Sequence, residues 1–292
     1  MSKFNFKSKK SCEKKIKQTE IIYGKNACFG CLQSYNNNIK NREIYQVYIL
    51  QTKFDEYYKK VPQAFRDLIR KCNSHELFSI THEQDKHQGI ALKVSNFHFT
   101  DIDELIERID KINNSNYTNN TNNINDINDV NKNTNKKVSI FLLDGLQDPH
   151  NIGNIIRSSF CFNIDAIILT EHNSCGITPA VVRTSAGYSE YSLICQAKNT
   201  ALTIEKLKKN GYWIIGFDVN TNTKDDITKV IKKYEKCVFI FGSEGQGMKD
   251  LTKKNCDIII KLPMNKQAES LNVANTAAII GWEILKSNNQ NC

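Results

Sequence analysis

The chain has 292 residues, 40% hydrophobic and 24% charged, with a formal net charge of +9. That length suits two domains, each able to bury a core without disulfide staples. No apolar run approaches the roughly 18 residues of a membrane span, the N-terminus lacks the apolar centre of a secretory signal, and ten scattered cysteines show no disulfide-domain spacing. A non-secreted protein of a reducing compartment is expected: the cytoplasm or, given the lysine-rich start, an organellar matrix. No membrane partner is expected, and the basic balance favours a polyanion such as RNA.

Residues 1–20 read as a basic flexible tail. Positions 3–17 carry seven lysines against the single acid Glu13. Such a tail is either plainly solvated or an arm that lies on phosphates. Residues 21–100 read as a small α/β module. Within it, residues 44–50 are rich in β-branched and aromatic side chains and predict a strand. Residues 62–72 predict a helix, and residues 77–80 and 90–94 short strands. Cys28 and Cys31 form a lone C-x-x-C without the second pair of a zinc site, so no metal is expected.

Residues 101–137 read as a helix and a linker. Ile102, Leu105, Ile106, Ile109 and Ile112 share one helical face, and Thr100 with Asp103 fits a capping box. Positions 113–135 are about half asparagine. Such a stretch buries too little apolar surface to offset its ordering entropy and predicts disorder.

Residues 138–292 alternate regularly. Strands are predicted at 138–143, 166–170, 212–218, 237–242 and 258–262. Helices are predicted at 154–162, 200–210, 248–254 and 272–286. This pattern gives a parallel sheet covered on both faces, with ligands beyond the carboxyl ends of its strands. Three polar or glycine-rich clusters fall at such ends.

The first runs from Asp144 to Asn154 through Asp148-Pro149-His150-Asn151-Ile152-Gly153, followed by Arg157. Placed in the first turn of its helix, Arg157 would not suit the helix dipole. It is either an exposed surface arginine or a phosphate contact. Asn163 is expected to take the left-handed conformation after that helix. The second cluster is Gly242-Ser243-Glu244-Gly245-Gln246-Gly247. It lacks the spacing of either nucleotide-binding loop, and Glu244 is either a turn or cap residue or a functional acid. The third runs from Leu262-Pro263-Met264 to Ser270-Leu271-Asn272-Val273, where Ser270 or Asn272 can cap the last helix. The six histidines are dispersed, and no zinc-protease, serine-hydrolase or Walker motif is present.

In order and spacing the three clusters resemble the signature motifs of the SpoU/TrmH RNA 2′-O-methyltransferases: D-P-x-N-x-G-x-x-x-R, G-x-E-G-x-G and I-P-M…S-L-N-V. Ser185-Ala186-Gly187 fits the family's S-A-G stretch. Tyr23-Gly24 and His87-Gln88-Gly89-Ile90 resemble the start and end of the substrate-binding domain of its rRNA guanosine branch. The resemblance implies a trefoil-knotted α/β domain, S-adenosylmethionine as cofactor, RNA as partner with ribosomal RNA foremost, and a homodimer whose sites draw on both chains. It assigns Asn151, Arg157, Glu244, Ser270 and Asn272 to the catalytic centre. Gly242, Ser243, Gly245, Leu262, Met264 and Leu271 are assigned to the cofactor. Lys266 departs from the pattern, standing where the family often has glycine. Transfer RNA is the neighbouring substrate reading, and a non-catalytic ribosome-assembly factor the alternative of another class.

Overall fold

The computed structural model describes residues 19–35, 39–121, 137–221, 223, 225–245 and 247–289, with backbone alone over 113–121 and at 289. Residues 1–18 of the basic tail and most of the asparagine-rich linker lie outside the described residues, while Thr19 and Glu20, expected in the tail, begin a strand that pairs with residues 94–95. The first module contains β1 (Thr19–Tyr23), α1 (Lys25–Ser34), β2 (Ile44–Leu50), α2 (Phe54–Tyr58), β3 (Ile69–Cys72), α3 (Ser74–Thr81) and β4 (Ile90–Ser95). Its sheet runs β1-β4-β2-β3. β4 is antiparallel to β1 and β2, and β2 is parallel to β3. Ile22, Val47, Ile49, Ile90 and Leu92 are buried in one cluster with Ala27, Cys28, Cys31 and Leu32 of α1. The C-x-x-C cysteines are therefore core residues, and burial pushes both thiols well up.

Two expectations fail in this module. The helix expected at 62–72 is a 3-10 turn, Gln63–Leu68, followed by β3; pairing with β2 overrides the local pattern. The strand expected at 77–80 is α3, whose start was written in the sequence. Asn73 and Glu76 form a reciprocal capping box: the Glu76 amide donates to Asn73 Oδ1 at 2.9 Å, and the Asn73 amide donates to Glu76 Oε2 at 3.0 Å.

α4 (Ile102–Thr121) follows and outlasts the expected helix, its backbone staying helical into the asparagine-rich stretch. The Asp101 carboxylate, not Thr100, accepts at its start, from the Glu104 amide at 2.9 Å. Then come β5 (Val138–Asp144), α5 (Pro149–Cys161), β6 (Ala166–Thr170), α6 (Pro179–Thr184), β7 (Ile194–Ala197), α7 (Thr200–Lys209), β8 (Trp213–Phe217), α8 (Ile227–Lys233), β9 (Lys236–Gly242), α9 (Asp250–Lys254), β10 (Ile258–Ile260) and α10 (Val273–Asn289). The six strands run β10-β8-β9-β5-β6-β7, and every pairing is parallel. All seven residues of β5 are buried, as a central strand covered on both faces requires. Leu105, Ile106 and Ile109 of α4 cover one face with Ile204 and Leu207 of α7. Ile152, Ile155, Val181, Ala277 and Ile280 belong to the cluster on the other.

The first module is docked against the parallel sheet's domain by a buried cation. Arg42 has a fully buried side chain. Its Nε donates to Glu190 Oε1 at 3.2 Å, one terminal nitrogen to Glu20 Oε2 at 2.7 Å and Ser95 O at 2.8 Å, and the other to Ile177 O at 2.8 Å. Beside this network the two backbones touch. A Cβ on Gly30 would stand 2.8 Å from the Gly187 carbonyl oxygen, and one on Gly187 (φ +83°) 2.6 Å from the Asn26 carbonyl oxygen.

Burial raises the Glu190 carboxyl above its ordinary range, opposed by Arg42. Arg42→Met leaves that carboxyl buried without its cation, and urea unfolding should show a loss of about 3–5 kcal/mol. The Arg42→Met/Glu190→Gln double variant should lose less. A carboxyl with a raised folded-state pKa binds more protons folded than unfolded. Stability of Arg42→Met should therefore fall as pH rises above the ordinary carboxylate value, more steeply than in the wild type.

Candidate active site

Because all six strands are parallel, every carboxyl end lies at one edge of the sheet, and the three sequence clusters follow β5, β9 and β10. β5 and β9 end in register, Asp144 opposite Gly242, so the first two loops leave the sheet side by side.

The first loop ends where α5 begins, five residues earlier than expected. Asp148 is its N-cap, accepting from the His150 amide at 2.9 Å, and Pro149 takes the first helical position. This start buries Asn151 in the first turn and moves Arg157 to the third, which removes the dipole argument for its role. Asn163 adopts the left-handed conformation (φ 57°), as its place after the helix predicted.

The second loop folds back on itself. The Gly247 amide donates to Ser243 O at 2.9 Å and the Ser243 amide to Gly247 O at 3.1 Å. A Cβ on Gly242 would lie 2.3 Å from the Gly247 carbonyl carbon, so only glycine admits this return. The third loop ends at Asn272, whose Oδ1 accepts from the amides of Ala274 at 2.9 Å and Asn275 at 3.3 Å. Asn272, not Ser270, therefore caps α10.

Asn151 ties the loops together. Its Nδ2 donates to Glu244 Oε1 in the second loop, and its Oδ1 accepts from Asn272 Nδ2 in the third at 3.1 Å. Two cavities open beside this node. One, of about 320 Å³, lies beyond the ends of β8, β9 and β10. Of the residues singled out in the sequence, Gly242, Ser243, Glu244, Gly245, Leu262, Met264, Ser270, Leu271 and Asn272 line it. The other, of about 390 Å³, is polar and lies over the first two loops, between Gly145, Asp148, Asn173, Glu244 and Lys249. Ser243 and Glu244 line both. Asn151 lines neither and acts through its two partners. Arg157 also lines neither: it is exposed on α5.

Sequence reading missed Asp218 and Lys253, which face the first cavity. Asp218 directly follows β8, where no motif marks it. Its Oδ1 accepts from the Asn220 amide at 2.9 Å, and its Oδ2 pairs with Lys253 Nζ at 2.6 Å. Burial pushes its carboxyl up, but these two bonds prevail and hold it below the ordinary range. Its position at a strand end beside a cavity was the available signal. Lys266 is exposed and is not among the described non-glycine residues with positive φ, so a side chain costs no backbone strain there.

The sequence profile of the SpoU rRNA Methylase family matches residues 137–282. The chain belongs to the SpoU rRNA methylase family. A second profile, RNA 2′-O ribose methyltransferase substrate binding, matches residues 21–100. Among curated relatives, a TrmH family tRNA/rRNA methyltransferase of Staphylococcus saprophyticus is 30% identical over 203 residues, 70% of this chain and 72% of the relative. One from Staphylococcus epidermidis is 28% identical over 236 residues, 78% of this chain and 85% of the relative. The fold is shared with the SpoU methyltransferase AviRb of Streptomyces viridochromogenes, solved with AdoMet: TM-score 0.67, 15% identity, 93% of this chain and 91% of that one. It is shared equally with an AdoMet-bound rRNA methyltransferase of Sinorhizobium meliloti: TM-score 0.68, 17% identity, 92% and 87% covered.

The Asp218–Lys253 pair gives a direct test of the cavity's electrostatics. In Lys253→Met the Asp218 carboxyl keeps its burial and loses its ion pair, so carbon-13 NMR should find it titrating at higher pH than in the wild type. A carboxylate with a depressed folded-state pKa stabilises the fold above its unfolded value. That contribution, lost in the wild type as pH falls through the folded pKa, should shrink in the variant.

Proposed function

We propose that this protein transfers a methyl group from S-adenosylmethionine to a ribose 2′-hydroxyl of RNA, with a guanosine of large-subunit ribosomal RNA as the target. The observation that carries the reading is the node at Asn151, which holds Glu244 between an apolar-walled cavity and a polar one. A transfer between two bound partners needs this arrangement.

The first cavity fits the cofactor chemically. Its volume falls within the roughly 300–1,000 Å³ of small-molecule sites. Phe217, Leu262, Leu271 and Val273 offer apolar walls to a purine, and the Asp218 carboxylate offers an acceptor for ribose hydroxyls. The sulfonium of S-adenosylmethionine supplies an activated methyl. Transfer of that methyl to a ribose 2′-oxygen would leave S-adenosylhomocysteine and release the hydroxyl proton to solvent water. The chain's residues hold the geometry. Asn151 fixes Glu244 and Asn272, Glu244 and Ser243 separate the two partners, and backbone around Leu262, Met264 and Leu271 holds the cofactor. The profile match over residues 21–100 supports a first module that grips RNA, and the ribosomal target follows from the same branch resemblance.

Arg157 enters this reading through a second copy of the chain. It stands on the exposed face of α5 with Phe160, 41% exposed, and α10, which packs on α5, adds Ile279 at 44% and Trp282 at 50%. Pairing through this face covers those side chains and carries Arg157 to the partner's target phosphate and ribose. The trefoil threading belongs to the same reading, with α10 reaching across to α5 after the third loop.

The first test is transfer of labelled methyl to unmodified ribosomal RNA, with transfer RNA and DNA in parallel. Label at a ribose 2′-oxygen of large-subunit RNA is expected, and none on DNA, which lacks the acceptor. Label on transfer RNA alone would move the substrate. No label on any RNA, with a folded protein that also fails to bind S-adenosylmethionine, would favour the assembly-factor reading.

Arg157→Ala should keep its fold and cofactor affinity while losing turnover by orders of magnitude. Mixed with Asn272→Ala, it should recover roughly a quarter of wild-type activity, the share of sites left intact by random pairing of a two-fold dimer. Recovery of nothing would place Arg157 in its own chain's site.

A further inference from the structure

A third cavity, of about 210 Å³, opens at the same edge of the sheet beyond the ends of β6 and β7, where α7 begins. Thr170, His172, Lys198, Thr200, Lys249 and Thr252 are among its lining residues, and its charged side chains, Lys198 and Lys249, are both basic. The polar cavity beside it contrasts in sign, lined among the described residues by Asp148 and Glu244 against a single cation. That cation is Lys249, which lines both cavities.

Lys249 is held at this boundary from below. Asp144, at the end of β5, has a side chain only 1% exposed. Its Oδ2 accepts from Thr252 Oγ1 at 2.7 Å, while its Oδ1 has no hydrogen-bond partner among the described residues. Lys249 Nζ stands 3.7 Å from that Oδ1, with 57% of its side chain exposed. The distance is too long for a hydrogen bond. The buried carboxylate therefore attracts the ammonium electrostatically and leaves its donors for something else. A buried carboxylate without a full complement of donors is costly, and a charge that draws Lys249 to this place offsets part of that cost.

We propose that the third cavity is a phosphate subsite for the RNA substrate. It takes the backbone phosphate of a nucleotide adjacent to the one seated in the polar cavity. The inference rests on the RNA methyltransferase reading above and adds the path the strand follows. Each nucleotide carries a phosphate, and the acids of the polar cavity repel one. The neighbouring cavity offers Lys198 and Lys249, with the start of the ten-residue α7 at its rim; Asn199 Oδ1 there accepts from the Leu202 amide at 3.0 Å, and the helix dipole still favours an anion. Lys249 then neutralises the strand as it passes from one cavity to the next.

The test compares the full-length wild type with Lys198→Ala/Lys249→Ala and with the control Lys209→Ala/Lys229→Ala. The control removes the same charge away from the cavity. Affinity for an unmodified large-subunit ribosomal RNA transcript is measured over a salt series. Loss of one phosphate contact to a single strand should reduce the slope of log affinity against log salt by about 0.7. That reduction is expected in the cavity variant, with weaker RNA binding at low salt and unchanged S-adenosylmethionine affinity by calorimetry. The control should keep the wild-type slope.

An unchanged slope in the cavity variant, or an equal reduction in the control, overturns the subsite. So does a cavity that binds inorganic phosphate in phosphorus NMR while the RNA slope stays unchanged, because it would then be an anion site unrelated to RNA. Methyl transfer by the wild type is followed in parallel. Its absence alongside a cavity-specific slope change would count against the methyltransferase reading and leave the subsite standing.

Discussion

Asn151 is the residue through which three distant parts of the chain become one site. Its amide group has one donor face and one acceptor face, and each is taken by a different loop: Glu244 after β9 and Asn272 ahead of α10. Asn272 is itself committed to the amides of Ala274 and Asn275, so the node also sets the start of the last helix. Neither an aspartate nor a leucine can do this. The first lacks the donor for Glu244, and the second lacks both functions.

That node exists because the sheet is parallel. In a parallel sheet all carboxyl ends meet at one edge, and the register of β5 with β9 brings Asp144 opposite Gly242. Asp144 then serves as a buried floor beneath Lys249, and Gly242 lets the second loop return on itself. The apolar wall of one cavity, the acids of the next and the lysines of the third are consecutive stretches of that edge. The Arg42 network has a different task. It converts the first module from a tethered appendage into a body seated on the second, through a cation that satisfies groups from both. Its low-dielectric setting makes its geometry demanding, since any one missing partner leaves a buried charge.

Much of this was legible in the sequence, and the parts that were not share a cause. Five of the six strands of the parallel sheet announce themselves as apolar runs; β7 does not, because Ile194–Ala197 is short and becomes a strand through its pairing with β6. The three loops announce themselves by glycines, prolines and polar residues at strand ends. β3 was not legible: residues 69–72 form a strand through pairing with β2, and their own composition does not ask for one. α3 was legible through the capping pair Asn73 and Glu76, whereas residues 77–80 taken alone suit a short strand. Arg157 was legible as a residue type and misplaced as a position, because Pro149 rather than Asn154 opens α5. Asp218 had no motif at all; the neighbours that define it, Lys253 and the ends of β9 and β10, come from later in the chain.

The sequence by itself determined the family, the alternation that makes a parallel sheet, and the residue types at the carboxyl ends of its strands, because periodicity, turn chemistry and motif order are local properties. Only the tertiary structure decided that Asn151 is a connector while Glu244 and Asn272 face the cavity, that Arg157 stands outside the pocket of its own chain, and that Asp218 with Lys253, and Asp144 with Lys249, are working pairs. The physical reason is reach. A side chain's electrostatics and hydrogen bonds act over a few ångströms, and the partners that supply them here lie up to 121 residues away along the chain.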